Sequence, residues 1–193
     1  MEMAEFGPVF ARLYSFFASR SRRHRVVYEK ISADIASLNP SSVLEIGSGP
    51  GIVAAMIAER MPSLRVHCVD PSPTMVKIAN SRFRKLNLSS RAESSMGNSA
   101  NTGIDGKFDV IFSSLSFHHW ENGQEDLIHL VEKHMPKGTL IIYENLLPDS
   151  LKNGKAGHGH GISMKGIEML NVPGTTKTHE ITGTLVALKF ISK

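Results

Sequence analysis

The strongest constraint on this chain is an alternation of short apolar runs with stretches of helical period. "SVLEI" (42–46), "RVHCVD" (65–70), "FDVIFSSL" (108–115) and "TLIIYENL" (139–146) read as buried strands. Between them, "GIVAAMIAERMP" reads as a helix stopped by Pro62. "PTMVKIANSRFRKLN" is opened by the cap-and-first-turn pair Ser72 and Pro73, and "GQEDLIHLVEKHM" forms a third helix. Strands that alternate with helices imply a parallel sheet covered on both faces. Upstream, Phe6, Phe10, Leu13 and Phe17 recur at helical spacing, as do Val27, Ile31, Ile35 and Leu38. The polar stretch 88–107 offers one short strand among loops. The tail "KTHEITGTLVALKFISK" gives two β-prone runs around Gly183, the pattern of an antiparallel hairpin.

With 193 residues, 41% hydrophobic, the chain can bury one sizeable core, and it shows neither repeats nor a linker. A single domain, residues 1–193, is expected. No apolar run approaches the roughly 18 residues of a membrane span. "MEMAEFGP" lacks the basic-then-apolar pattern of a signal peptide. Cys68 is the only cysteine, so no internal disulfide can form. A soluble, cytoplasmic protein is expected. Its formal net charge of +4 is unevenly spread: +3 over residues 1–30, −3 over 31–150 and +4 over 151–193. Basic flanks suit an acidic partner, although solubilising charge explains them as well.

The sharpest local feature is "VLEIGSGPG" (43–51), which sets Glu45 before alternating glycines at Gly47, Gly49 and Gly51. Glycines at a strand's carboxyl end let backbone approach a ligand more closely than any Cβ permits, and the following helix presents free N–H groups. Asp70 ends the next strand 21 residues after Gly49. A carboxylate at that place can accept both hydroxyls of a ribose, so an adenosine-containing ligand is expected. A dinucleotide fingerprint would need glycine at position 52, where Ile52 stands.

Residues 43–51 resemble the first motif of class I S-adenosylmethionine-dependent methyltransferases, and "CVDPSPTMVKIA" resembles the second. "KFDVIFSSLSFHHW" resembles the fourth-strand motif of the ubiquinone/menaquinone-biosynthesis type of small-molecule methyltransferase, and "HMPKGTLIIYEN" the fifth-strand segment. The resemblance spans residues 43–145 in order. It implies a three-layer, Rossmann-like α/β sandwich with a mostly parallel seven-stranded sheet, the hairpin supplying strands six and seven. It also implies S-adenosylmethionine as cofactor and S-adenosylhomocysteine as product. In that family pattern Gly47, Ser48 and Gly49 lie along the methionine portion of the cofactor, and Glu45 supports the loop or the amino group. Asp70 binds the ribose, while Pro71 and Met75 pack on the adenine. Asn98, followed by Ser99, replaces the acid that usually meets the adenine amine; Ser113, Ser114 and Leu115 lie beside the methyl group. Residues 1–40 are expected to form helices of a substrate lid, 41–147 the cofactor core, and 148–193 a lid segment and the hairpin.

For the chemistry, His118 and His119 are candidates for a general base, with mere closure of the pocket as the plainer role. Adjacent side chains are expected to diverge, so this pair is not expected to share a metal, and no metal site is expected. His158 and His160 lie in the glycine-rich "NGKAGHGHGIS" and would need two more ligands. Tyr143, Glu144 and Asp149 end or follow the fifth strand, near the expected mouth. The acceptor most in keeping with these features is a small molecule, acidic or partly apolar. An RNA acceptor held by Arg20, Arg22, Arg23 and Arg25, or a cofactor-binding protein without catalysis, are the alternatives.

Overall fold

Alternation of strand and helix begins immediately after the first helix of the structure, a computed structural model that describes residues 22–148 and 160–193. Helix α1 (Arg22–Ser37) leads into β1 (Ser42–Ile46), α2 (Ile52–Arg60), β2 (Arg65–Asp70), α3 (Pro73–Lys85) and β3 (Ala92–Met96). Then come β4 (Val110–Ser114), α4 (Gly123–His134) and β5 (Thr139–Leu147). The two-residue strand β6 (Ile162–Ser163), helix α5 (Met164–Met169) and the hairpin of β7 (Thr175–Thr182) and β8 (Leu185–Ser192) follow. Phe6, Phe10, Leu13, Phe17, Arg20, Asp149 and His158 lie outside the described residues.

The sheet runs β3-β2-β1-β4-β5-β8-β7, with β6 paired to β5 off that path. Strands β1 to β5 are parallel, and β8 is antiparallel to both β5 and β7. The expected α/β sandwich with a C-terminal antiparallel hairpin is therefore present; the short β6 is an addition to it. Gly183 turns the hairpin with a φ of 62°.

Alternate residues of each strand enter different cores, because helices cover both faces. Val43, Val66, Val110 and Phe112 pack with Tyr28, Ile31 and Ile35 of α1, the alanines of α2, and Ala79 and Phe83 of α3. Leu44, Ile46, Ile111 and Ile142 pack on the other face with Leu127 and Leu130 of α4 and Ile167 of α5. Helix α1 thus belongs to a core layer. Leu38, placed on its apolar stripe by period, follows the helix end and is exposed.

Order reverses between β1 and β4, where β1 continues outward to β2 and β4 to β5. In such sheets the carboxyl ends of the strands at that reversal are the general ligand position. At the opposite end, a depression of about 390 Å³ is lined by Lys107, Phe108, Asp109, Pro136 and Lys137. It lies beside the amino ends of β4 and β5, away from the glycine loop.

Candidate active site

The glycine loop leaves β1 and turns into α2 through three left-handed residues, Gly47, Gly49 and Gly51, with φ of 69°, 52° and 67°. Each glycine answers to a different neighbour. A Cβ on Gly47 would overlap the Ser116 side chain, and one on Gly51 would stand 2.9 Å from Ala79 Cβ and 3.0 Å from Phe83 Cζ. A Cβ on Gly49 would meet nothing within 4 Å. The first and last glycines serve packing, while the middle one borders open space. Arg82 of α3 donates to the Pro50 carbonyl and ties the loop to the neighbouring helix.

Asp70, at the end of β2, is 7% exposed. Gly49 N donates to its Oδ2 at 2.7 Å and Ser72 N to its Oδ1 at 2.9 Å. Each oxygen keeps acceptor capacity beyond these two bonds. Burial raises the Asp70 pKa, against the pull of these two backbone donors. Ser72 caps α3, its hydroxyl accepting from Met75 N, with Pro73 in the first turn, as the sequence indicates. Met75 is buried.

Glu45 shares Val43's face of the sheet, beneath α2, and is fully buried. Ser114 Oγ donates to Glu45 Oε1 at 2.5 Å, and the Cys68 thiol lies 4.0 Å from Oε2. Burial pushes its pKa up to about 8; the Ser114 hydroxyl and the Ala54 backbone pull it down less strongly. Ser48 Oγ is buried without a hydrogen-bond partner, its polar company being the Cys68 thiol, a weak acceptor.

Ser113 Oγ lies 2.8 Å from Ser116 Oγ, which donates to the Ile46 carbonyl at 3.0 Å and so joins the end of β4 to the glycine loop. Leu115 adopts a left-handed φ of 55° while its N–H donates to the Tyr143 carbonyl. Such a conformation costs a non-glycine residue about 1–2 kcal/mol, and strain of this kind gathers at ligand sites. Asn98 is exposed, and its carboxamide oxygen accepts from Asn101 N at 2.8 Å. Ser99 is buried and donates to Asp126 of α4 at 2.5 Å.

A short 3-10 turn, Phe117–His119, follows Ser116. The expectation that His118 and His119 diverge does not hold, since their ring centroids are 4.0 Å apart. Side chains oppose one another along an extended strand; the tight turn instead lets these two rings lean together. Glu144, fully buried in β5, accepts from His118 N at 3.2 Å and meets His118 Nδ1 at 2.8 Å. His160 Nδ1 lies 3.1 Å from His118 Nε2. Tyr143 does not reach the mouth: it is buried in the core on the α1 side, its hydroxyl without a hydrogen-bond partner. Burial raises its pKa. Ser116, Arg82 and the roles of Glu144 and His160 were not anticipated. Glu144 was the detectable one, as a lone acid inside an apolar strand needs a partner.

Residues 43–138 match a family described as a methyltransferase domain. The chain is 28% identical over 149 residues to the demethylmenaquinone methyltransferase of Thermotoga maritima, covering 77% of this chain and 60% of that protein. It is 26% identical over 109 residues to a tRNA1(Val) (adenine(37)-N6)-methyltransferase of a Flavobacteriaceae bacterium, covering 56% and 46%. The chain thus spans about half to three fifths of the length of these curated relatives. Among solved structures, the plantazolicin methyltransferase BamL, in complex with a triazolic desmethylPZN analog and SAH, superposes with a TM-score of 0.73 at 15% identity. That superposition covers 96% of this chain and 91% of BamL. The fold, the glycine loop and these likenesses together make the chain similar to the class I S-adenosylmethionine-dependent methyltransferases.

Proposed function

We propose that this protein transfers the methyl group of S-adenosylmethionine to a small-molecule acceptor that enters over the carboxyl edge between Gly49 and the turn at His118. The observation that carries the cofactor assignment is the empty space beside Gly49, bordered by a buried Asp70 whose oxygens keep free acceptor capacity. Bound there, the cofactor supplies an activated methyl on a sulfonium, and the protein's share is alignment and exclusion of water. Asp70 would hold the ribose. The partnerless Ser48 hydroxyl and the buried Glu45 would face the methionine portion, with Pro71 and Met75 against the adenine. The strained Leu115 and the serines before it would flank the methyl group. His118 and His119 stand on the acceptor side, where a hydroxyl or amine nucleophile has to lose its proton.

A small acceptor is favoured over RNA by the likeness to demethylmenaquinone methyltransferase. It is favoured also by Arg25, one of the basic run, which is paired with Glu29 at 2.9 Å on α1. The likeness to a tRNA methyltransferase supports the second reading. No helix among the described residues is long and apolar enough to cross a membrane. Calorimetry with S-adenosylhomocysteine tests the cofactor, and its failure to bind overturns the proposal. Labelled methyl transfer into metabolite fractions is expected. Transfer into RNA instead, with an affinity that falls steeply with salt, would establish the alternative.

A further inference from the structure

Three histidines from two distant parts of the chain meet beyond the carboxyl ends of β4 and β5. His118 and His119 come from the turn after β4, and His160 comes from the segment entering β6. One ring nitrogen of each can be chosen so that all three lie within 4.8 Å of one another. The ring centroids of His118 and His160 are 4.9 Å apart, and those of His119 and His160 are 5.9 Å apart.

His160 is held in place by backbone. Its carbonyl accepts from the Asn145 side chain at 3.3 Å, and Ile162 and Ser163 pair in register with Leu146 and Leu147 of β5. Gly161 passes so close to the Asn145 carbonyl that a Cβ there would overlap it. The segment is therefore docked on the same strand that carries Glu144.

Glu144 decides how His118 is presented. Its Oε1 receives the His118 backbone N–H and faces Nδ1, while Oε2 receives Asn145 N at 3.2 Å. A carboxylate in that position selects the tautomer with hydrogen on Nδ1, leaving the Nε2 lone pair pointed at His160 Nδ1, 3.1 Å away. Imidazole nitrogens bound to one tetrahedral zinc at about 2.0–2.1 Å sit about 3.3–3.4 Å from each other. This first pair is already close to that spacing. His119 and His160 are exposed enough for the third ring to turn in.

We infer that His118, His119 and His160 form a binding site for one divalent transition-metal ion of the zinc type, with Glu144 positioning His118 from behind. Three imidazoles without a carboxylate in direct contact suit zinc, cobalt or nickel rather than magnesium or calcium. A carboxylate behind a ligating histidine is the usual outer support of such sites. Three protein ligands leave a fourth position open, as in catalytic zinc sites rather than structural ones. The open position would lie over the carboxyl edge of the sheet. There, on the methyl-transfer reading above, it would take an acceptor's hydroxyl or carboxylate oxygen, and metal contact lowers the pKa of a bound hydroxyl. The histidines would then assist deprotonation as ligands rather than as free bases.

The test uses untagged, chelator-treated full chain titrated with Co²⁺ followed by visible absorption, and with Zn²⁺ followed by calorimetry. One ion per chain is expected, with the intense absorption of four-coordinate cobalt. His119→Ala and His160→Ala are each expected to weaken binding by at least about 10-fold, and Glu144→Gln by about 10–100-fold. His129→Ala, on the exposed face of α4, is expected to bind as the unsubstituted protein does. Absence of saturable one-to-one binding overturns the proposal, as does unchanged affinity in both His119→Ala and His160→Ala. S-adenosylhomocysteine binding is measured on the same samples. Metal binding without cofactor binding would sink the methyl-transfer reading and leave the metal site standing, whereas the converse would sink only the site.

Discussion

Removing the Asp70 carboxylate is expected to damage two things that can be measured apart. In the free protein it accepts from Gly49 N at 2.7 Å and Ser72 N at 2.9 Å, so Asp70→Ala leaves two half-buried donors without their acceptor. Hydrogen bonds to a charged group contribute about 1.5–3 kcal/mol each. Two such bonds give an upper figure near 6 kcal/mol, reduced by water entering the vacated space. The cost of burying the carboxylate, visible in its raised pKa, is recovered as well. A net loss of about 2–3 kcal/mol is expected, which for a chain of this length lowers Tm by about 4–12 °C. Differential scanning calorimetry of the free protein reads that figure. Asp70→Asn keeps one acceptor but turns an N–H₂ toward the other backbone donor, and serves for the ligand measurement. Its affinity for S-adenosylhomocysteine is expected to fall by about 1–3 kcal/mol through loss of a ribose contact. An analogue lacking both ribose hydroxyls is expected to bind the two proteins alike. If Asp70→Asn weakens the analogue as much as the parent ligand, the ribose assignment is refuted. An unchanged Tm in Asp70→Ala would refute the role in the loop.

The three loop glycines should separate in the same way: Gly47→Ala and Gly51→Ala lower Tm through overlap with Ser116 and with Ala79 and Phe83, whereas Gly49→Ala stays folded, loses about 1–2 kcal/mol to backbone strain, and binds S-adenosylhomocysteine poorly. Equal thermal losses in all three, with ligand binding intact in Gly49→Ala, would contradict this division. Glu45, with an ordinary value of 4.5 raised to about 8 in the fold, holds its proton in the native state while the unfolded chain has lost it. Its contribution is therefore fully present below about 4.5 and lost as pH rises through about 8. Glu45→Gln, permanently neutral, should gain in Tm relative to the unsubstituted protein across that window; a difference independent of pH would count against it. Cys68 is buried with its thiol pushed well above 9.0. Aromatic disulfide reagents should therefore leave the native protein unmodified and label it fully in denaturant, and rapid native labelling would show that β2 opens.

Most of the architecture was legible because it is written locally. Each strand–helix unit carries its own period, and Ser72 with Pro73 announces the start of α3 through contacts three residues long. The glycine loop was legible for the same reason, since its neighbour Asp70 closes the very next strand. What escaped depends on pairs far apart in the chain. Ser116 meets Ile46 across 70 positions, and His160 meets His118 across 42. No period links such residues; only the sheet order brings their segments together. The stretch before β4 shows the limit from another side. Asn98 was placed against the adenine by likeness alone, and its carboxamide turns out to hold a local turn with Asn101.

The separate neighbours of the three glycines also bear on how this sequence can drift. Gly47 is answerable to position 116 and Gly51 to positions 79 and 83, so both remain under constraint as long as the sheet and α3 keep their packing. Gly49 is answerable to no packed neighbour, only to its own backbone angle and, on the cofactor reading proposed above, to the ligand. A descendant that kept the fold for some other purpose would be released at position 49 first, with Asn or Asp, the residues that best tolerate a left-handed backbone, as its first replacements. Among homologues, a loop that retains the outer glycines and has lost the middle one would mark a protein that no longer handles the cofactor.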